Sequence, residues 1–183
     1  MENNKVLAVS LEKPVKKTKT VKTEKEKKKR QITNETKWTF GEPELSSPNQ
    51  WDFIQQIYNK DIREANKKTC DIVLQQLNGK INGYKSQDIE KGLLDLEKFV
   101  DMDSVIKLLV DSKNICYYCQ QSVQVLYEFV REPRQWTLDR LDNAHGHNKD
   151  NVVISCLQCN LRRKTMHPER YVFTKQLIIS KAT

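Results

Sequence analysis

The first helical apolar period lies in "SSPNQWDFIQQIYNKDIREANKK", where Trp51, Ile54, Ile57, Tyr58 and Ile62 recur at steps that put them on one helix face. Ser47 suits the cap of that helix and Pro48 its first turn. A second apolar patch, "CDIVLQQL", runs into "NGKING", whose Asn-Gly pairs predict a turn. Two more helical patterns follow, "SQDIEKGLLDLEKFV" and "DSVIKLLVDSK", with Ser86 and Asp103 as their caps. Together they predict a helical module over residues 46–113, whose apolar positions are explained by packing. Cys70 sits beside apolar positions within it and reads as a core residue.

From residue 114 the period changes. "CYYCQQ" is a knuckle, "SVQVLYEFV" is rich in β-formers, "REPRQ" is a turn, and "WTLDRL" predicts a second short strand. A polar loop, "DNAHGHNKD", leads into "NVVISCLQCNLRRKTM", which predicts a helix with Asn151 near its start. The expected order is strand, strand, helix, with a cysteine pair at each end. His167 precedes Pro168 and marks a helix boundary, so residues 167–183 form a C-terminal helix or extension.

Residues 1–45 show no apolar period, and a segment such as "KPVKKTKTVKTEKEKKKRQ" buries too little to offset the entropy of ordering. A disordered basic arm is expected there. Charge sharpens this: of the formal +8, residues 1–30 hold eleven Lys or Arg against four Glu, which leaves the other 153 residues at +1. The arm therefore suits non-specific phosphate contact, nuclear import through Lys27, Lys28, Lys29 and Arg30, or simply a solubilising role. No apolar run approaches the roughly 18 to 20 residues of a membrane span, so a soluble intracellular protein without a membrane partner is expected.

Four of the five cysteines form two C-x-x-C pairs, Cys116 with Cys119 and Cys156 with Cys159, separated by 36 residues. Four thiolates at that spacing suit tetrahedral Zn²⁺ and leave no open coordination position, so the ion would be structural.

The residues between the pairs carry a resemblance. "WTLDRLDNAHGHNKDNVVISCLQCNLRRK" resembles the HNH endonuclease family in its ordered run of Asp139, Gly146, Asn151, Cys156, Cys159, Asn160 and Lys164, over about residues 114–166. The resemblance implies an α+β chain in which a small zinc-stapled ββα-metal domain follows the helical module. Its two strands and helix would hold Mg²⁺ or Mn²⁺ against a scissile DNA phosphate, with Asp139 and Asn160 as protein ligands and Asn151 as a loop brace. Oxygen ligands of this kind suit those hard ions. Where the family places its general-base histidine, directly after the acidic ligand, this chain has Arg140, which stays protonated and cannot take a proton from water. His145 and His147 are the candidate substitutes, because imidazole titrates near neutrality. Asp142 is a further candidate, with a turn role as its simpler explanation. Arg140, Arg162, Arg163 and Lys164 would contact phosphates, although Arg162 and Arg163 read equally as a solvated helix face.

The expected function is a metal-dependent endonuclease on DNA. The alternatives are a weakened HNH-like zinc module that binds nucleic acid or protein without cutting, and a zinc scaffold with no nucleic-acid affinity.

Overall fold

The computed structural model describes residue 30 and residues 39–177. Most of the basic arm, including Lys27, Lys28 and Lys29, lies outside the described residues. Within them the chain is α+β, with six α-helices and one two-stranded antiparallel sheet.

A short helix α1 (Glu42–Leu45) lies within the span expected to be arm and leads into α2 (Ser47–Asn59). Ser46, not Ser47, occupies the cap position of α2, and Pro48 sits in the first turn. Phe53, Ile54 and Ile57 are buried, but Tyr58 is exposed and Ile62 lies beyond the helix end.

The turn expected at "NGKING" is absent: α3 (Lys67–Glu90) passes through it as one 24-residue helix, and Ser86 lies inside that helix rather than at a cap. The physical reason is sidedness. A Cβ on Gly79 or Gly83 would meet nothing within 4 Å, while Leu77, Ile81 and Asp88 on the other side are buried. Burial of that face outweighs a helix-interior glycine cost of about 1 kcal/mol each. Residues 91–98, expected to continue a helix, are mainly turns. The next helix, α4 (Met102–Asp111), is capped by Asp101, two positions before Asp103. Asp101 accepts from the Ser104 amide at 2.8 Å, and Ser104 Oγ accepts from the Asp101 amide at 2.9 Å, a reciprocal capping box.

The sheet also differs from expectation. "SVQVLYEFV" makes isolated bridges only, Ile115 with Ser122 and Gln124 with Gln135. Val123, Val125, Leu126 and Tyr127 are all buried, so the run lacks the one-sided alternation of a strand. The Val125 and Leu126 amides donate instead to Gln50 Oε1, at 2.8 and 2.9 Å. The strands are β1 (Trp136–Arg140) and β2 (Val152–Cys156), paired with Leu138 opposite Ile154 and Asp139 opposite Val153. The expected helix from Asn151 is thus a strand first, as three consecutive β-branched residues favour. Helix α5 (Leu157–Arg163) follows at once, and α6 (Pro168–Gln176) starts after His167.

One apolar core joins the helices to the cysteine-bearing part: Ile54, Val73, Leu77, Val105 and Leu109 share it with Tyr118, Leu126, Trp136, Leu138 and Ile154. Polar contacts stitch the same seam. The side chain of Gln76 donates to Tyr127 O at 2.9 Å, and the Leu138 amide donates to the Tyr84 hydroxyl at 3.0 Å. Cys70 is fully buried in this core, and burial pushes its thiol up to about 11.

Candidate functional site

The four paired cysteines come together. Cys116 and Cys119 lie in a tight hairpin closed by Cys116 N to Gln121 O and Gln120 N to Cys116 O, at 2.9 and 3.0 Å. Cys156 ends β2 and caps α5, its Sγ accepting from the Cys159 amide at 3.4 Å. The Tyr117 amide, donating to Ile154 O at 2.9 Å, holds the hairpin against the strand. All four Sγ atoms lie within 4.8 Å of one another, with Cys119 and Cys156 at 3.9 Å. Sulfurs around tetrahedral zinc at about 2.3 Å would stand about 3.8 Å apart, so the set fits such an ion. The crowding is costly for thiolates with no cation among them: burial, with the nearby Cys116 adding to it, pushes Cys159 up to about 11. The four residues could hold one metal ion, and they leave no open position on it.

The loop between the strands, residues 141–151, is closed from within by Asn151. Its Oδ1 accepts from the Asp142 amide at 2.9 Å, and its Nδ2 donates to Asp142 O and Gly146 O at 2.9 and 3.0 Å. Asp142 accepts from the Ala144 amide at 2.8 Å, the geometry of an Asx turn.

The helical part grips the same loop from outside. Val100 N donates to His147 O at 3.0 Å, Lys149 N to Lys98 O at 2.8 Å, and Lys149 Nζ pairs with Asp101 at 2.6 Å. Gly146 is needed here for space: a Cβ would stand 2.5 Å from Leu93 O and 2.8 Å from Asp88 Oδ2. Asp88, a residue that sequence reasoning passed over inside a helical pattern, is completely buried beneath the loop.

The candidate bases are therefore unlike each other. His147 is 4% exposed, stacked on Tyr84 with ring centroids 4.5 Å apart and bonded through Nδ1 to Asp88. Burial lowers its pKa, and the positive charges of Arg140 and Lys91 add to that, against the opposing pull of Asp88. His145 is solvent-exposed, with Nε2 3.8 Å from Asp142, and its carbonyl accepts from Arg140 Nη1 at 3.0 Å.

Asp139 is not free. Arg163 Nε donates to Asp139 Oδ2 at 2.6 Å and Nη2 donates to Oδ1 at 2.8 Å, a bidentate pair with both residues at 5% exposure or less. The same guanidinium donates to Arg140 O and Met166 O, each at 2.7 Å. Arg163 thus lies on neither a phosphate-facing nor a solvated helix face, and its partner raises its already high pKa. The residues present do not fit a divalent ion at Asp139, because both carboxylate oxygens already serve a cation. Asn160, on α5, donates through Nδ2 to Thr137 Oγ1 and Leu138 O, each at 3.2 Å, which holds it against β1. Arg162 and Lys164 are exposed beyond this pocket and Arg140 is half-buried at its rim.

Among the described residues, no helix is long and apolar enough to cross a membrane. No protein-family model matches the chain, and no solved structure matches it. The chain is similar to the uncharacterized protein R423 of Acanthamoeba polyphaga mimivirus, with 32% identity over 89 residues. That match takes in 49% of this chain and 14% of the viral protein.

Proposed function

We propose that residues 114–166 form an HNH-type ββα unit stapled by zinc, and that the chain uses it to bind DNA without cutting it. The observation that carries the first half is the order β1, loop, β2, α5. It sets Asp139 on the first strand and Asn151 as the brace of the loop, both between the two halves of one four-cysteine cluster, and Asn160 on the helix directly after the last cysteine. A structural zinc there would fix the corner between β2 and α5, a staple that a sheet of two strands needs.

The second half rests on Asp139. Phosphodiester hydrolysis by the expected route needs its carboxylate open to a divalent ion, and Arg163 holds both oxygens. Binding needs only cations at the surface. Arg162 and Lys164 at the end of α5, with Arg140 at the end of β1, form the side-chain set for phosphate contact, and the net charge of +7 in residues 1–30 adds a sequence-independent part.

The endonuclease is the second reading, favoured by Asn160 against β1 beside Asp139 and by the exposed imidazole of His145. A cleavage assay on plasmid and single-stranded DNA with Mg²⁺ or Mn²⁺ separates the two, comparing wild type with Asp139→Ala and Asn160→Ala. Binding without cleavage supports our reading, and cleavage lost in both variants installs the second. Binding that vanishes when residues 1–36 are deleted would leave the folded part with no DNA role.

A further inference from the structure

We infer that Arg163 is the resident cation of the Asp139 pocket and closes that carboxylate to divalent ions. The inference takes from the proposed function only the choice of Asp139 as the position to compare.

Four contacts of the guanidinium are accounted for. Two are the paired bonds to Asp139, and the others, to Met166 O and Arg140 O, tie it to the turn after α5 and to the end of β1. Arg163 is therefore fixed independently of Asp139 and is 3% exposed. A Mg²⁺ or Mn²⁺ ion would have to sit about 2.0 to 2.1 Å from a carboxylate oxygen and keep several of its own waters. The guanidinium nitrogens already stand 2.6 and 2.8 Å from the two oxygens, so an incoming ion meets a like charge at close range. Arginine cannot relieve the repulsion by losing its proton.

The pocket thus carries a permanent single positive charge where the resemblance implies an exchangeable double one. Such a centre is indifferent to Mg²⁺ concentration, and it joins the helix to the first strand as an internal clamp.

Mn²⁺ binding to the metal-loaded full chain tests this by electron paramagnetic resonance, with wild type, Asp139→Asn, Arg163→Gln and the double variant Asp139→Asn with Arg163→Gln. Wild type and Asp139→Asn should bind Mn²⁺ equally. Arg163→Gln should gain one site, at least about tenfold tighter than any in wild type, and the double variant should lose it. Mn²⁺ binding in wild type that Asp139→Asn abolishes overturns the inference, and so does a folded Arg163→Gln with no gain. Should Arg163→Gln fail to fold, the wild type decides through the NMR signal of the Arg163 Nε–H. Persistence of that signal in Mn²⁺ supports the clamp, and paramagnetic broadening overturns it. None of these measurements uses DNA, so a failure of the DNA-binding reading leaves their outcome readable.

Discussion

Asp88, near the end of α3, accepts two hydrogen bonds from His147, one from the backbone amide at 2.6 Å and one from ring Nδ1 at 2.8 Å. A single buried carboxylate thus ties the helical half of the chain to the loop between the strands. Asp88→Ala leaves both donors buried and unpaired, which predicts a loss of about 2 to 3 kcal/mol in urea denaturation. Asp88→Asn keeps one acceptor and should lose less. Equal losses in the two variants would show that the acceptor kept in Asp88→Asn contributes nothing.

The burial of His147, which outweighs the opposing pull of Asp88, predicts a pH dependence. His147 has its pKa lowered by burial, with Arg140 and Lys91 acting in the same direction. The unfolded chain takes up a proton near pH 6.5 that the folded chain resists, so this contribution is present above about pH 6.5 and is lost as pH falls below it. The urea midpoint should drop between about pH 7.5 and pH 5, and His147→Asn should flatten that part of the profile. A profile as steep in the variant as in wild type would assign the drop to other groups.

Glycines at different places should respond in opposite senses. Gly146→Ala drives a Cβ against Leu93 O and Asp88, and a clash with backbone is relieved only by moving the loop. A loss of about 1 to 3 kcal/mol is expected. Gly79→Ala and Gly83→Ala meet open space inside α3 and should gain about 0.5 to 1 kcal/mol each. Thermal melts of the three variants check the order.

The glycines also show where the sequence speaks and where it is silent. "NGKING" has the chemistry of a turn, but the burial that keeps it helical is tertiary and lies on residues either side of the glycines. "NVVIS" was ambiguous because a short apolar run fits strand and helix alike, and only pairing with β1 decides it. The knuckles were legible because cysteine spacing is itself the geometry. Arg163 was not, since three basic residues in a row give no sign of which one turns inward; Asp139, twenty-four positions back, chooses it.

Metal analysis should find one tightly bound ion per chain, held by Cys116, Cys119, Cys156 and Cys159. A chelator, or Cys116→Ser, should lower the melting temperature substantially, because binding energy at such a site is folding energy. Cys70→Ala should leave the metal content unchanged, its thiol being sealed in the core. Metal retained in Cys116→Ser would exclude the four-cysteine centre.

The Asp139–Arg163 pair predicts strong coupling. Arg163→Ala strands a buried carboxylate and should cost about 3 to 5 kcal/mol, whereas replacing both partners by neutral groups of like shape should cost less. A double-mutant cycle in urea measures the difference, and additive losses would mean the two side chains do not act together.

The seam between the helices and the cysteine-bearing part has a consequence for anyone wishing to move this unit elsewhere. Residues 114–166 are not a cassette. Cut out alone, they would expose the faces of Leu126, Trp136 and Leu138 that α2 and α3 cover, and would leave His147 without its carboxylate. A graft into another host needs residues 47–113 to travel with it, and a search for counterparts gains by asking for a buried acid on a preceding helix as well as for the cysteines.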